Sequence, residues 1–180
     1  MKTIILLLFC YLFMYDLSAQ TNYYSQDNTF YEDGYTYQCD VMEGAGFVTL
    51  YNKDSKYIYV KQINRYTGKK ISREEELLNE FEEETWTKPK CRSIVNNAFS
   101  FSEKQRVKGR KFTITMYIDP DTGKVADVEF QFTTFNPCAT IPVSVYRKIE
   151  VEIKKNIRFD ITPEGKKRNY IMLWWRQEPK

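Results

Sequence analysis

The feature that most constrains the fold is the stretch at residues 111–132, KFTITMYIDPDTGKVADVEFQF. Apolar and polar residues alternate on either side of residues 119–124, with the period of two that is typical of half-buried strands. Between the two runs, Pro120 presets one backbone dihedral of a turn and Gly123 supplies a positive one. The pattern predicts a β-hairpin with one buried face and one wetter face.

The elements after this hairpin give residues 111–176 the order strand, strand, helix, strand. A helix is predicted to begin near Pro142, because Val145, Ile149 and Ile153 follow at helical spacing. A short extended segment at residues 157–161 and a last strand at residues 169–176 follow the helix. The last strand is apolar on both faces, so we expect both of its faces to be covered.

The N-terminal region, residues 20–100, contains further strand patterns. Residues 35–41 alternate as a half-buried strand does. Residues 47–51 and 56–61 are two apolar runs on either side of a polar turn, which predicts that they pair as a hairpin.

Helix signals follow in the same region. Ser72 and Glu75 form a capping box, which predicts a helix over residues 72–84, and a second short helix is expected at residues 91–99. Residues 102–110 are charged and are predicted to form a linking loop. These elements predict an α+β fold, with an antiparallel sheet and helices on one face. Because the linking loop is short and lacks Pro-rich or Ser-rich spacing, we expect one compact unit.

The first 19 residues have the pattern of a secretory signal peptide. A positive start at Lys2 precedes an apolar run and then the small residue Ala19. The run is shorter than the ~20 residues that a membrane-spanning helix needs, so no transmembrane span is expected in the mature chain. Cys10 follows the bulky Phe9, where a lipoprotein signal has a small residue. We therefore expect export, with cleavage near Ala19, to the periplasm or the cell exterior.

Cleavage would leave three cysteines, Cys39, Cys91 and Cys138. An exported protein can keep disulfides, so the three are candidates for one structural bridge, and the alternative is that they are buried thiols. An unpaired cysteine is also a candidate for a bridge between subunits. The chain has no CxxC motif, which argues against a thiol oxidoreductase.

The chain contains no histidine, which excludes Ser-His-Asp and Cys-His catalysis and His-based zinc or iron sites. Asp119 and Asp121 resemble the start of a calcium loop, but Gly123 stands where the next ligand would be. No glycine-rich phosphate loop is present. We therefore expect no metal, no cofactor and no catalytic residue. The net charge of +3 is small and interleaved, so no nucleic-acid partner is expected.

Residues 111–176 resemble the C-terminal domain of TonB-type energy transducers. The resemblance rests on YIDPDTGKVADVEF, on IPVSVYRKIEVEIKKNIRF and on TPEGKKRNYIMLWW, although Asp121 and Pro163 each stand closer to their following glycine than in that family. It implies a module that binds a short peptide by strand addition and has no catalytic residues. The whole chain also resembles an uncharacterised family of small secreted Bacteroides proteins, through GKKRNYIMLWWRQEP and the signal-peptide ending SAQ.

Three function classes remain open at this point. The first is a non-enzymatic binding protein whose partner is an envelope protein or peptide. Its contact surface would be the edge of the 111–132 hairpin or a face with the residues Tyr117, Asp127, Glu129, Tyr170 and Trp174. For Trp174 and Trp175 themselves, the favoured interpretation is that they belong to the core and cover the sheet. Glycan binding is left open.

The second class is a structural or assembly subunit of an envelope complex. The third is an enzyme that acts on glycans with two carboxylates, Asp127 and Glu129, which stand two residues apart on one strand face. A wet sheet face commonly carries such a pair without chemistry, so a binding protein is the favoured prediction.

Overall fold

The computed structural model describes residues 21–180, and the predicted signal peptide with Cys10 lies outside them. It contains six strands, β1 (Asn28–Glu32), β2 (Tyr35–Met42), β3 (Phe47–Asn52), β4 (Phe112–Ile118), β5 (Val125–Thr133) and β6 (Ile171–Gln177). The helices are α1 (Arg73–Glu76), α2 (Thr87–Ala98), α3 (Phe101–Arg106) and α4 (Val143–Asn156), with short 3-10 helices at Pro137–Thr140 and Gly165–Lys167.

All six strands belong to one antiparallel sheet with the order β1-β2-β3-β5-β4-β6. The predicted α+β class with an antiparallel sheet is therefore confirmed. Three strands come from each half of the chain, and the β3–β5 pairing joins the halves. The β4–β5 hairpin predicted at residues 111–132 lies inside the sheet, and its turn closes where Asp119 N donates to Lys124 O at 2.9 Å.

The main core lies between one face of the sheet and helices α2 and α4. Every second residue of β4, beginning with Phe112 and Ile114, points into it and is almost fully buried. From α4, Tyr146, Ile149 and Ile153 are buried against the same face. Burial of each such side chain contributes about 1.5–3 kcal/mol, so this layer holds the helices to the sheet.

The opposite face of the hairpin is also covered by protein. The prediction that this face is the wetter one is therefore wrong. A second, smaller cluster of Ile58, Tyr117 and Tyr170 lies there, with Tyr51 and Tyr57 packed against it. The cover comes from the chain that follows β3, which crosses back over the sheet. The sequence pattern of β5 does not reveal this cover, because polar residues alternate on the covered face as they do on a wet one.

The hairpin predicted between residues 47–51 and 56–61 is also wrong. Both edges of β3 are occupied, one by β2 and the other by β5, so no third strand can pair with it. Residues 56–61 instead form turns, and Tyr59 has a positive φ of 62°, which breaks an extended run.

The helix predicted over residues 72–84 is only four residues long. Its capping box is present, since Ser72 Oγ accepts from Glu75 N at 3.2 Å and Glu75 Oε2 accepts from Ser72 N at 2.8 Å. The helix stops because Leu77 and Leu78 stay exposed, so no buried stripe supports a longer one.

Other predicted boundaries also change. The helix predicted at residues 91–99 starts earlier, at Thr87, whose amide donates to Glu84 Oε2 at 2.8 Å. The charged segment 102–110 is not all loop, because a second capping box at Ser100 and Glu103 starts helix α3. The short extended segment predicted at residues 157–161 makes two isolated bridges, Arg158 with Lys124 and Ile161 with Phe81.

The three cysteine candidates Cys39, Cys91 and Cys138 are free and buried, so the structural bridge predicted as one alternative is absent from residues 21–180. Burial raises the pKa of each of the three thiols to about 12. All three lie in the main core, where they pack as small apolar side chains, so none is placed to bridge two subunits.

The cysteines give a first prediction. In protein that lacks residues 1–20, Ellman's reagent at pH 8 should find almost no reactive thiol in the native state, since a pKa near 12 leaves about one thiolate in 10⁴. After unfolding in guanidinium chloride without reductant, it should find all three. A single thiol after unfolding would show a disulfide and contradict the structure.

The hairpin turn depends on Gly123, which has a φ of 69° and accepts at its carbonyl from Phe159 N at 2.8 Å. A Cβ on this residue would stand 1.9 Å from Phe159 O, a backbone atom that cannot move away cheaply. Gly68 has almost the same φ, 68°, but nothing within 4 Å of its Cβ position. The two glycines therefore separate backbone strain from steric clash.

We predict that Gly68→Ala lowers the free energy of unfolding by about 1–2 kcal/mol, the cost of a left-handed non-glycine residue. Gly123→Ala should cost roughly 1–3 kcal/mol more, because the clash adds to the strain. Urea denaturation of both variants measures the difference. Equal losses would show that residues 158–160 do not hold the turn from outside.

Candidate functional site

The sheet ends at β6, which pairs only with β4 among residues 21–180. The register is regular over seven residues, from Ile118 opposite Ile171 to Phe112 opposite Gln177. The other side of β6 makes no backbone hydrogen bond with the described chain between Ile171 and Gln177. One long strand edge is therefore open.

The direction of the backbone groups in β6 follows from the sheet. Asp119 N points toward β5, so amides alternate along β4 and the even-numbered residues of β4 point toward β6. Their partners in the register are the odd-numbered residues of β6. The even-numbered residues Met172, Trp174 and Arg176 thus keep their N–H and C=O groups directed away from the sheet. The same alternation holds on the β2 side of the sheet, where Lys53 N, directly after β3, donates to Thr36 O of β2 at 2.8 Å.

The side chains of these three residues are also exposed. Met172 is 47% exposed and Trp174 59%, and Arg176 is exposed beside them on the face opposite the helices. The expectation that β6 is covered on both faces is therefore wrong for this face. Natural edge strands are commonly protected by proline, by a bulge or by short length. The β6 strand has none of these, whereas the other edge strand, β1, is only five residues long.

The five contact residues predicted from the sequence differ strongly in their exposure to solvent. Trp174 is exposed, but Tyr117, Asp127, Glu129 and Tyr170 are all between 3% and 6% exposed. Four of the five residues of the predicted face therefore cannot contact a partner in this structure. The interpretation favoured from the sequence, that Trp174 belongs to the core, is therefore wrong.

Asp127 and Glu129 serve the fold. Asp127 Oδ2 accepts from Lys56 N at 2.7 Å and from Tyr57 N at 2.9 Å, and so holds the crossing chain against the sheet. Glu129 accepts from Tyr117 Oη at 3.0 Å, and burial raises its pKa above the ordinary value. These contacts satisfy both carboxylates from within the protein.

The edge of the 111–132 hairpin is also ruled out as a contact site, contrary to the prediction. The β5 strand is paired with β3 on one side and with β4 on the other, and β4 is paired with β5 and β6. The open edge nearest to the hairpin lies one strand further out, at β6.

The acids of the hairpin turn shape the loop. Asp119 Oδ1 accepts from Asp121 N at 3.0 Å and from Thr122 N at 2.8 Å, which closes the turn. Both oxygens of Asp121 accept from Arg65, at 2.7 Å each, and this pair holds the pKa of Asp121 below its usual value.

A pocket of about 290 Å³ lies at the end of β6. Its basic lining side chains are Arg92, Lys111, Arg176 and Lys180, accompanied by Asn96, Gln177 and Glu178. None of the four cations forms an ion pair within residues 21–180. Reasoning from the sequence missed this pocket, because its residues lie in distant segments that only the fold brings together.

The fold and the site define a class of protein: a single antiparallel sheet with helices on one face and one open edge strand. A family model described as "Domain of unknown function (DUF5043)" matches residues 20–175. The chain therefore belongs to the DUF5043 family. The chain is similar to a DUF5043 family protein from Bacteroides uniformis ATCC 8492 whose crystal structure is known. The two sequences are 43% identical, the match covers 89% of each chain, and the TM-score is 0.82.

The predicted membership of an uncharacterised Bacteroides family is thus supported, whereas the resemblance to TonB domains is not shown by these comparisons. A search among curated proteins found no match. None of the helices in residues 21–180 is long and apolar enough to cross a membrane.

The alternation in β6 gives a second prediction. In amide hydrogen exchange followed by NMR, Leu173 and Trp175 should be protected by their bonds to β4. Met172 and Trp174 should exchange faster by roughly two orders of magnitude, because their amides face solvent. Uniform protection along β6 would show that something covers the edge, and the reverse alternation would contradict the assigned directions.

Proposed function

We propose that this protein is a non-enzymatic binding protein that takes an extended segment of an envelope protein as an added strand on β6. The observation that carries the proposal is the open seven-residue edge of β6 with the exposed Trp174 at its middle. Exposed edges of this kind pair readily with another chain. Strand addition to a sheet edge is a recurring mode of peptide recognition.

The free energy of the backbone hydrogen bonds at β6 is too small to give tight binding without a contribution from side chains. Three outward-facing residues offer six backbone groups, and each hydrogen bond gains about 0.5–1.5 kcal/mol net. Association costs roughly 4–15 kcal/mol in lost freedom, so the backbone bonds alone give weak binding. Trp174, of a residue type enriched among binding hot spots, supplies an apolar anchor that the backbone lacks. The partner segment would therefore place an apolar residue against Trp174.

Two sequence features support a location in the cell envelope. Residues 1–19 have the pattern of a signal peptide, which would bring the chain to the periplasm or the cell exterior. Residues 111–176 have the strand, strand, helix, strand order on which the resemblance to TonB-type peptide-binding domains rests. That resemblance favours a short segment of an envelope protein as the partner.

The test begins with a linear 12-residue random peptide library displayed on phage and selected on the mature protein. We expect enrichment of sequences that alternate apolar and polar residues. When an enriched peptide is added to the protein, the amides of Met172 and Trp174 should become protected from exchange. Trp174→Ala should weaken binding about tenfold or more. Phe135→Ala removes an aromatic side chain that is even more exposed, 80%, but is not part of β6, and it should leave binding unchanged.

A pair of substitutions isolates the backbone contribution. Met172→Pro removes an outward amide, which an edge strand tolerates, and Met172→Ala is its matched control. The proline variant should bind the selected peptide more weakly than the alanine variant, while both keep the circular dichroism spectrum of the parent. Failure to enrich any peptide would overturn the proposal. So would peptides that leave the β6 amides unprotected, or a stable dimer that occupies β6 in solution.

A further inference from the structure

The pocket at the end of β6 continues the open edge. Arg176 and Gln177 are the last two residues of the strand and also line the pocket. An added strand would lie about 4.7–4.9 Å from β6, so its residue nearest Arg176 would be at the mouth of this pocket. The two features therefore form one continuous surface.

The charge of the pocket is strongly one-sided. Four cationic side chains line it, and no carboxylate within residues 21–180 pairs with them. The one acidic side chain in the lining, Glu178, accepts at Oε1 from Gly109 N at 3.0 Å and keeps its charge, so the cationic side chains outnumber it four to one.

The pocket is held in shape by the fold. Arg92 and Asn96 are one turn apart on helix α2 and share one side of it. Asn96 Oδ1 accepts from Lys180 N at 2.9 Å, which fixes the chain after β6 against the helix. Lys111 directly precedes β4.

We propose that the segment bound by β6 carries acidic side chains, Asp or Glu, at the end that lies beside Arg176, and that the basic pocket selects for them. This inference rests on the proposed function and adds the chemistry of the partner. A carboxylate there would meet several unpaired cations at once, and complementary charge of this kind gives specificity and speeds association. At the other end of β6, Lys167 and Arg168 are already paired, with Glu164 and Glu80 respectively.

The experiment compares peptide selections on three proteins. The unmodified protein should enrich Asp and Glu at one end of the displayed peptides, relative to the unselected library. The double variant R92Q/R176Q should still enrich strand-like peptides but lose the acidic end. The matched variant K53Q/K69Q removes the same charge from exposed loops outside the lining of the pocket and should keep the acidic end. Displayed peptides have no free C-terminus, so a terminal carboxylate cannot produce the signal.

Synthetic peptides then give the affinity. Replacing the acidic residues of a selected peptide by Asn and Gln should weaken binding to the unmodified protein about tenfold, and should have little effect on binding to R92Q/R176Q. Binding to the unmodified protein should also fall as salt rises from 50 to 300 mM.

The outcomes separate the two proposals. Peptides that protect the β6 amides but show no acidic preference would overturn this inference and leave strand addition standing. An acidic preference that survives in R92Q/R176Q would also overturn it, because the pocket would not be its source. Peptides that bind the pocket without protecting any β6 amide would overturn the proposed function instead.

Discussion

The pairing of β3 with β5 is the contact on which the rest of the structure depends. It places Val48 opposite Phe132 and Leu50 opposite Phe130, and so joins the two halves of the chain into one sheet. Both edges of β3 and of β5 are then occupied, which excludes residues 56–61 from the sheet. The β6 strand joins the remaining edge of β4 and is the longer of the two edge strands of the described sheet, with β1 at the other end.

On the face of the sheet away from the helices, carboxylates accept hydrogen bonds from the chain that covers this face. Asp127 holds two backbone amides of the crossing chain, and Asp40 Oδ2 accepts from Tyr51 Oη at 2.9 Å and from Tyr59 Oη at 2.8 Å. A buried acid without such partners would be costly, so the acids and the covering chain depend on each other. Polar residues on this face therefore belong to an interior layer, although their alternation is that of a solvated surface.

The sequence predicted local features well and distant ones poorly. The turn at Gly123, the capping box at Ser72 and the family were all correct, because each depends on neighbouring residues or on the whole chain. The prediction of a wet face on β5 was wrong because Asp127 accepts hydrogen bonds from backbone amides that are 70 and 71 positions away in the sequence. Trp174 was named as a contact residue, but neither its exposure nor the pocket beyond it could be predicted, since both depend on which strand ends the sheet.

The alternation along β6 divides its residues between two tasks. Odd-numbered positions such as Leu173 and Trp175 bond to β4 and pack against the core, whereas even-numbered positions such as Met172 and Trp174 face outward. Substitutions at the outward positions leave the packed side chains untouched. Under the proposed function, members of the family could diverge in partner preference while keeping the same scaffold, and substitutions at these three outward positions would alter recognition at little risk to folding.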